Sequence, residues 1–219
     1  MNSDKKKIIG DLLFWSQIIF GTAFGLGQSL RMLVSVQGVS ISMIVFTWLA
    51  MLVNLHLVLS AHRVQRSRAT LQTVVVFLQA VAVYTTLTVI ILSHGKWDLN
   101  DTVTATSVGI GLVAILAVCL RRKLTYADPI VRCWFAICMR CAPILLMAYK
   151  IHCVGGSGFS GTMMLVVHPL TLSRVGQIWL TVREAGWDRN RRGAFIAVLG
   201  DEMAWMAVTV AWLWWCINS

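Results

Sequence analysis

Charged side chains are scarce in this sequence. Aspartate, glutamate, lysine and arginine together make up 13% of its 219 residues, about half the share of a soluble domain. Carboxylates are scarcer still, nine against nineteen lysines and arginines, while hydrophobic residues reach 58%. With a mean hydropathy of +0.74, so apolar a chain cannot be hidden inside one water-facing domain of this size, and the class implied is a polytopic membrane protein. Other absences narrow the function. No HExxH, phosphate loop or GxSxG occurs, so nothing points to a metalloprotease, an NTPase or an esterase, and no catalytic residue is assigned. The last apolar segment has no lysine, which removes the Schiff base that a retinal protein needs. The six cysteines show no regular spacing across loops, which argues against a disulfide framework. Cys138-Met139-Arg140-Cys141 forms a CxxC, but it lies in mid-segment, where cysteine is an ordinary small apolar filler. No metal and no cofactor is expected.

What charge there is lies in a pattern. Lys5–Lys7, Arg63 to Arg68, Arg121–Lys123 and Arg183 to Arg192 follow or precede apolar segments on one set of connections, 13 basic residues in all. The other set has Arg31, Lys96 and Lys150. Such a bias sets orientation. It predicts the amino terminus inside and the carboxyl terminus outside a bacterial or archaeal cytoplasmic membrane. The net charge of +10 is then a topogenic signal facing membrane lipid, and no nucleic-acid partner is expected.

A short pattern occurs twice. Gly38-Val39-Ser40 opens an apolar segment ending at Arg63, and Gly158-Phe159-Ser160 opens one ending at Arg183, an offset of 120 residues at both ends; Met43 falls on Met163 at the same offset. An apolar segment precedes and follows each copy. The expectation is an all-α polytopic membrane protein of seven transmembrane helices, built as two three-helix repeats joined by a linker helix. Residues 1–10 form a cytoplasmic tail, 11–94 the first repeat, 102–120 the linker helix and 129–217 the second repeat. A three-helix unit reverses sidedness, so one further crossing is needed before a second copy can insert in the same direction.

Ionisable residues inside the apolar segments are the main functional signal, because each isolated charge there costs at least a few kcal/mol. Arg140, Arg174, Asp201 and Glu202 are expected at similar depth, about 10–16 Å from the basic end at 1.5 Å per residue. They must pair with one another or share a watery cavity. A salt-bridge network that only fixes helices is the simpler alternative to a binding site. Gln28, Asn54, Gln79 and His168 add neutral or titratable polar groups, although a lone Gln or Asn in such a helix often serves as interhelical glue. Asn54 aligns with Arg174 at the 120-residue offset, so the first half offers neutral groups where the second offers charge. Gly27, Pro143 and Pro169 are candidate hinges, since proline removes a helical hydrogen bond.

Gly27-Gln28 with Gly38-Val39-Ser40, and Pro143 with Gly158-Phe159-Ser160, resemble the signature of the PQ-loop superfamily, which includes the SWEET sugar transporters. That signature is a Pro-Gln pair late in the first helix of each repeat, followed by a Gly-Leu-Ser-like connection. Gly27 stands for the first proline and Ile144 for the second glutamine. The resemblance implies two three-helix bundles, a substrate site between them near the midplane, and alternating access at the prolines or their substitutes. Gln28, Asn54, Gln79, Arg140, His168 and Arg174 are accordingly read as contacts to a small polar solute, and Asp201 and Glu202 as proton-coupling groups. The functional expectation is a secondary transporter or facilitator, with a homo-oligomer left open. The alternative is a membrane receptor or scaffold that binds a peptide, lipid or partner without transport.

Overall fold

A computed structural model describes residues 3–126 and 128–219, and every regular element among them is helical. The helices are α1 (Ser3–Val34), α2 (Ile41–Val64), α3 (Arg68–His94), α4 (Leu99–Arg122), α5 (Pro129–Ala136), α6 (Ala142–Val154), α7 (Gly161–Ala185) and α8 (Arg189–Asn218). A five-residue π turn, Ile137–Cys141, joins α5 to α6. These three pieces form one rod, Pro129–Val154. Pro143 lies in the first turn after the π turn. Its missing N–H breaks the regular ladder at that point, and π turns commonly absorb such breaks at functional sites.

Six of the rods are long and apolar enough to cross a membrane: Lys7–Val34, Ile41–Val64, Arg68–His94, Leu99–Arg122, Pro129–Val154 and Arg189–Asn218. The protein is therefore a helical integral membrane protein. The seventh rod, α7, is 25 residues long but falls outside that set, because His168, Arg174 and Gln177 interrupt its apolar run. It packs along α1 on one side and α8 on the other. Several helices outrun the apolar segments that announced them. The stretch expected as a polar tail is helical from Ser3, and α8 begins at Arg189, inside the basic connection Arg183 to Arg192. Polar turns keep winding past the hydrocarbon because helical hydrogen bonds need no apolar neighbours.

The amino end of α1 and the carboxyl end of α2 lie at what we call the basic end; the Gly-x-Ser connections lie at the other. In the first half α3 packs against both α1 and α2. In the second, α8 packs against both the α5–α6 rod and α7. The third helix of each set thus lies between the other two. The most extensive contact between the sets is α1 against α7; α2 meets the α5–α6 rod, and α4 flanks that rod. Small residues permit close approach, as membrane helices require. A Cβ added at Gly25 would come within 2.6 Å of Val83, so α1 and α3 nearly touch there. The main buried cluster, including Met32, Ile44, Ile144, Met147, Met163 and Val208, joins both sets.

Candidate functional site

The two Gly-x-Ser segments do local work first. Ser40 and Ser160 are the N-caps of α2 and α7, and each side chain accepts from the backbone N–H three residues on, Met43 and Met163. This satisfies a donor that the first helical turn leaves free. It also gives a physical reason for a serine in both copies.

The two segments then meet. The Gly158 N–H donates to the Gln37 carbonyl at 2.9 Å, and the Ser157 hydroxyl donates to Gln37 Oε1 at 2.8 Å. Gln28 Nε2 donates to the Gly158 carbonyl at 2.9 Å, and its Oε1 accepts from the Ser160 N–H at 3.1 Å. Arg31 donates to the Ser157 carbonyl. Gly38 has φ +81°, and a Cβ there would approach the Gly155 carbonyl oxygen to 2.1 Å. Nothing larger than glycine fits between these strands of chain. Beside this lock, Lys150 is buried and pairs with Asp98 at 2.8 Å and Asp101 at 3.1 Å. Asp101 also accepts from the Ser40 hydroxyl (2.7 Å) and from the Ser42 amide and hydroxyl (both 3.0 Å). A fully paired charge cluster therefore ties α2, α4 and α6 together at the same end.

Below this seal lies a cavity lined from both sets of helices. Gln17, Gly21 and Phe24 come from α1; Gln79, Val83 and Tyr84 from α3; Thr171 and Arg174 from α7. Arg140 of the π turn and Trp205 of α8 complete the polar and aromatic wall. The space is narrow. Centres of water-sized molecules can range over about 40 Å³, room for a few waters. Arg140 forms an ion pair with Asp201, and both side chains are largely buried. Among the described residues Arg140 Nε is buried without a hydrogen-bond partner. The hydrogen bonds and ion pairs of the described residues include none to Arg174 or Tyr84. Gln79 spends both amide hydrogens on the Ile18 carbonyl (2.6 Å) and Thr22 Oγ1 (2.7 Å), which leaves its oxygen for the cavity.

Toward the basic end a vestibule of about 500 Å³ opens between α2 and α3 on one side and α5, α7 and α8 on the other. Asn54, Arg132, Arg140, Asn190 and Arg191 are among its lining residues. Arg140 lines both spaces. Arg132 is held by Asn190 at 2.8 Å.

The structure therefore divides the residues singled out from sequence. Gln79, Arg140 and Arg174 line one cavity, with Asp201 paired behind Arg140. Asn54 lines the vestibule. Gln28 belongs to the seal. Gly27 lies where α1 crosses α7; a Cβ would come to 3.1 Å from Ser160 Oγ. His168 faces away from the cavity lining and bridges two side chains on α8, Glu202 Oε1 at 2.7 Å and Thr209 Oγ1 at 2.9 Å. Pro169 is inside α7, its carbonyl accepting from Ser173. Cys138 and Cys141 are free thiols with separate contacts, the Val108 carbonyl and Asp201, each at 3.5 Å. The Asp98–Asp101–Lys150 cluster was not anticipated from sequence. Its one signal is that Lys150 is the sole lysine after Lys123.

No protein-family model, curated protein or solved structure matches this chain at a significant level.

Proposed function

We propose that this protein is a small secondary transporter or facilitator that moves a polar solute by alternating access between two three-helix halves, residues 11–94 and 129–217, with α4 as the linker. One observation carries the reading: a polar cavity lined from both halves adjoins, through Arg140, a vestibule at the basic end, while at the other end the two Gly-x-Ser connections are bonded to each other between the cavity and a separate outer cleft of about 560 Å³. That arrangement suits a carrier caught open to one side. With the basic connections cytoplasmic, the state is inward-facing and the carboxyl terminus is outside. The shared order of packing within each half, third helix between first and second, supports a PQ-loop-like, SWEET-like duplication. So does the Ser157–Gln37 contact, which joins positions 120 residues apart.

Within this reading Arg140, Arg174 and Gln79 contact the solute, and Gly27, Pro143 with its π turn, and Pro169 are where the helices bend. The proton-coupling role passes from Asp201, which Arg140 holds, to Glu202. Its Oε2 is buried without a partner among the described residues while Oε1 meets His168. A titratable pair of that kind can carry a proton between states.

The test is solute counterflow in proteoliposomes with Arg140→Gln, Arg174→Gln, Asp201→Asn and Glu202→Gln. Uptake should fall in the first three at any pH and lose its proton dependence in the fourth. Unchanged uptake in all four would sink the site assignment. A solute that binds but never crosses would favour the receptor alternative.

A further inference from the structure

We infer that the solute of this cavity is a small monocarboxylate; the inference rests on the transport reading and names its substrate class. The first ground is charge. The cavity and the side chains paired to it hold two guanidiniums, Arg140 and Arg174, and one carboxylate, Asp201. Arginine stays protonated in proteins, so the site carries one uncompensated positive charge in low-dielectric surroundings. Glu202 is not among the side chains that line the cavity; it meets His168 on the α7–α8 contact. Lys150, Asp98 and Asp101 form their own cluster beside the seal. A monoanion brings the site to neutrality. A neutral solute leaves the excess charge in place, and a dianion reverses it.

The second ground is the donor set. Arg174 and Tyr84 have no partners among the described residues, and Arg140 Nε is buried and unpartnered. A guanidinium presents a planar fork that matches a carboxylate. The Gln79 oxygen, with both amide hydrogens already spent, is an acceptor suited to a hydroxyl on the same solute. Gly21 keeps that acceptor in reach, since a Cβ there would crowd the Gln79 amide at 3.2 Å.

The third ground is the wall and the approach. Phe24, Val83, Leu170 and Trp205 surround the polar groups, which fits a short apolar body behind the carboxylate, and the narrow space excludes bulk. Among the described residues the vestibule is lined by Arg132, Arg140 and Arg191 and by no carboxylate; Asp188 pairs with Arg191 and Asp201 with Arg140, which leaves Arg132 as the charge that draws anions inward.

The experiment uses the purified full chain and three probes: lactate, its neutral isostere lactamide, and glycerol 3-phosphate. Titration calorimetry in detergent should show lactate binding, with lactamide and glycerol 3-phosphate each weaker by at least about tenfold, the scale of one charge-assisted hydrogen bond. Arg174→Gln should weaken lactate by a similar factor, and Arg174→Lys should recover part of it. Equal binding of lactate and lactamide on the unaltered protein overturns the inference without any variant, as does tighter binding of glycerol 3-phosphate. Lactate counterflow in proteoliposomes separates the two readings. Lactate that binds with this selectivity but does not cross leaves the anion site and overturns transport. Flux of neutral solutes that lactate does not compete with leaves transport and overturns the monocarboxylate.

Discussion

The two ends of the bundle are built on different principles. At the Gly-x-Ser end, backbone meets backbone: Gly158 bonds to Gln37, Gly38 presses on Gly155, and Lys150 is buried between two carboxylates. Both ends carry a cleft of about 500–560 Å³, but at the basic end no backbone hydrogen bond among the described residues joins the halves, and the polar pairs there, Arg68 with Asp11 and Arg132 with Asn190, are more exposed. Exposed pairs contribute little and yield readily, whereas buried pairs and backbone contacts resist change. The difference suggests a molecule whose Gly-x-Ser end holds one state while its basic end stays free to move.

The largest expected break in that contrast is Lys150→Met. It leaves Asp101 buried with hydrogen bonds but without its cation. Removing one member of a buried pair costs about 3–5 kcal/mol, so unfolding in mixed micelles should shift by that much. A shift no larger than that of Arg132→Met would mean that the two ends do not differ in kind. Next in size is Gly38→Ala. A non-glycine residue at positive φ costs about 1–3 kcal/mol, and the new methyl would meet the Gly155 carbonyl. The links must part, so with the exposed Cys153 and Cys216 replaced by serine in both proteins, a cysteine placed at Thr171 should react with a maleimide applied at the Gly-x-Ser side in this variant and not in the parent. Equal labelling of both would show that the lock is not the seal.

How far sequence reaches follows the same division. The Gly-x-Ser repeat was legible because an N-cap is a local device: serine, then an N–H three residues on. Even the repeated methionine, at positions 43 and 163, marks the amide that each cap binds. The grouping of Arg140, Asp201 and Arg174 was legible from depth alone, since membrane charges at one level must meet. The Asp101–Lys150 cluster was not, because its members come from three helices and each looks like a loop residue near a segment end. The π turn was hidden too. Pro143 announced a disturbance, but whether a helix kinks, breaks or takes one wide turn depends on packing against α2, α4 and α8. In the sequence Gln28 looks free for a solute, because nothing local shows that the backbone of Gly158 and Ser160 in the other half occupies its amide.

Comparing the two capping serines sharpens the contrast within the sealed end. Ser160→Ala removes a cap and should cost about 1 kcal/mol. Ser40→Ala removes the same cap and also a hydrogen bond to the buried Asp101, worth about 1.5–3 kcal/mol to a charged acceptor. Chemical unfolding of both variants should therefore separate them, with Ser40→Ala the less stable. Coincident midpoints would mean that Asp101 is held by Lys150 and Ser42 alone.

The smallest effect belongs to the open end. Asn54 lines the vestibule together with Arg140 and makes no side-chain hydrogen bond among the described residues. Asn54→Ala should leave stability within about 0.5 kcal/mol, as surface-like substitutions do. Yet Asn54 stands on the route that a solute takes toward Arg140, so counterflow should slow while the unfolding midpoint stays fixed. That dissociation is what a moving, open end requires: residues there serve passage and not cohesion. If Asn54→Ala instead lowers stability as much as Ser160→Ala and leaves flux untouched, Asn54 is glue between helices, and the vestibule is a structural gap and not an entrance.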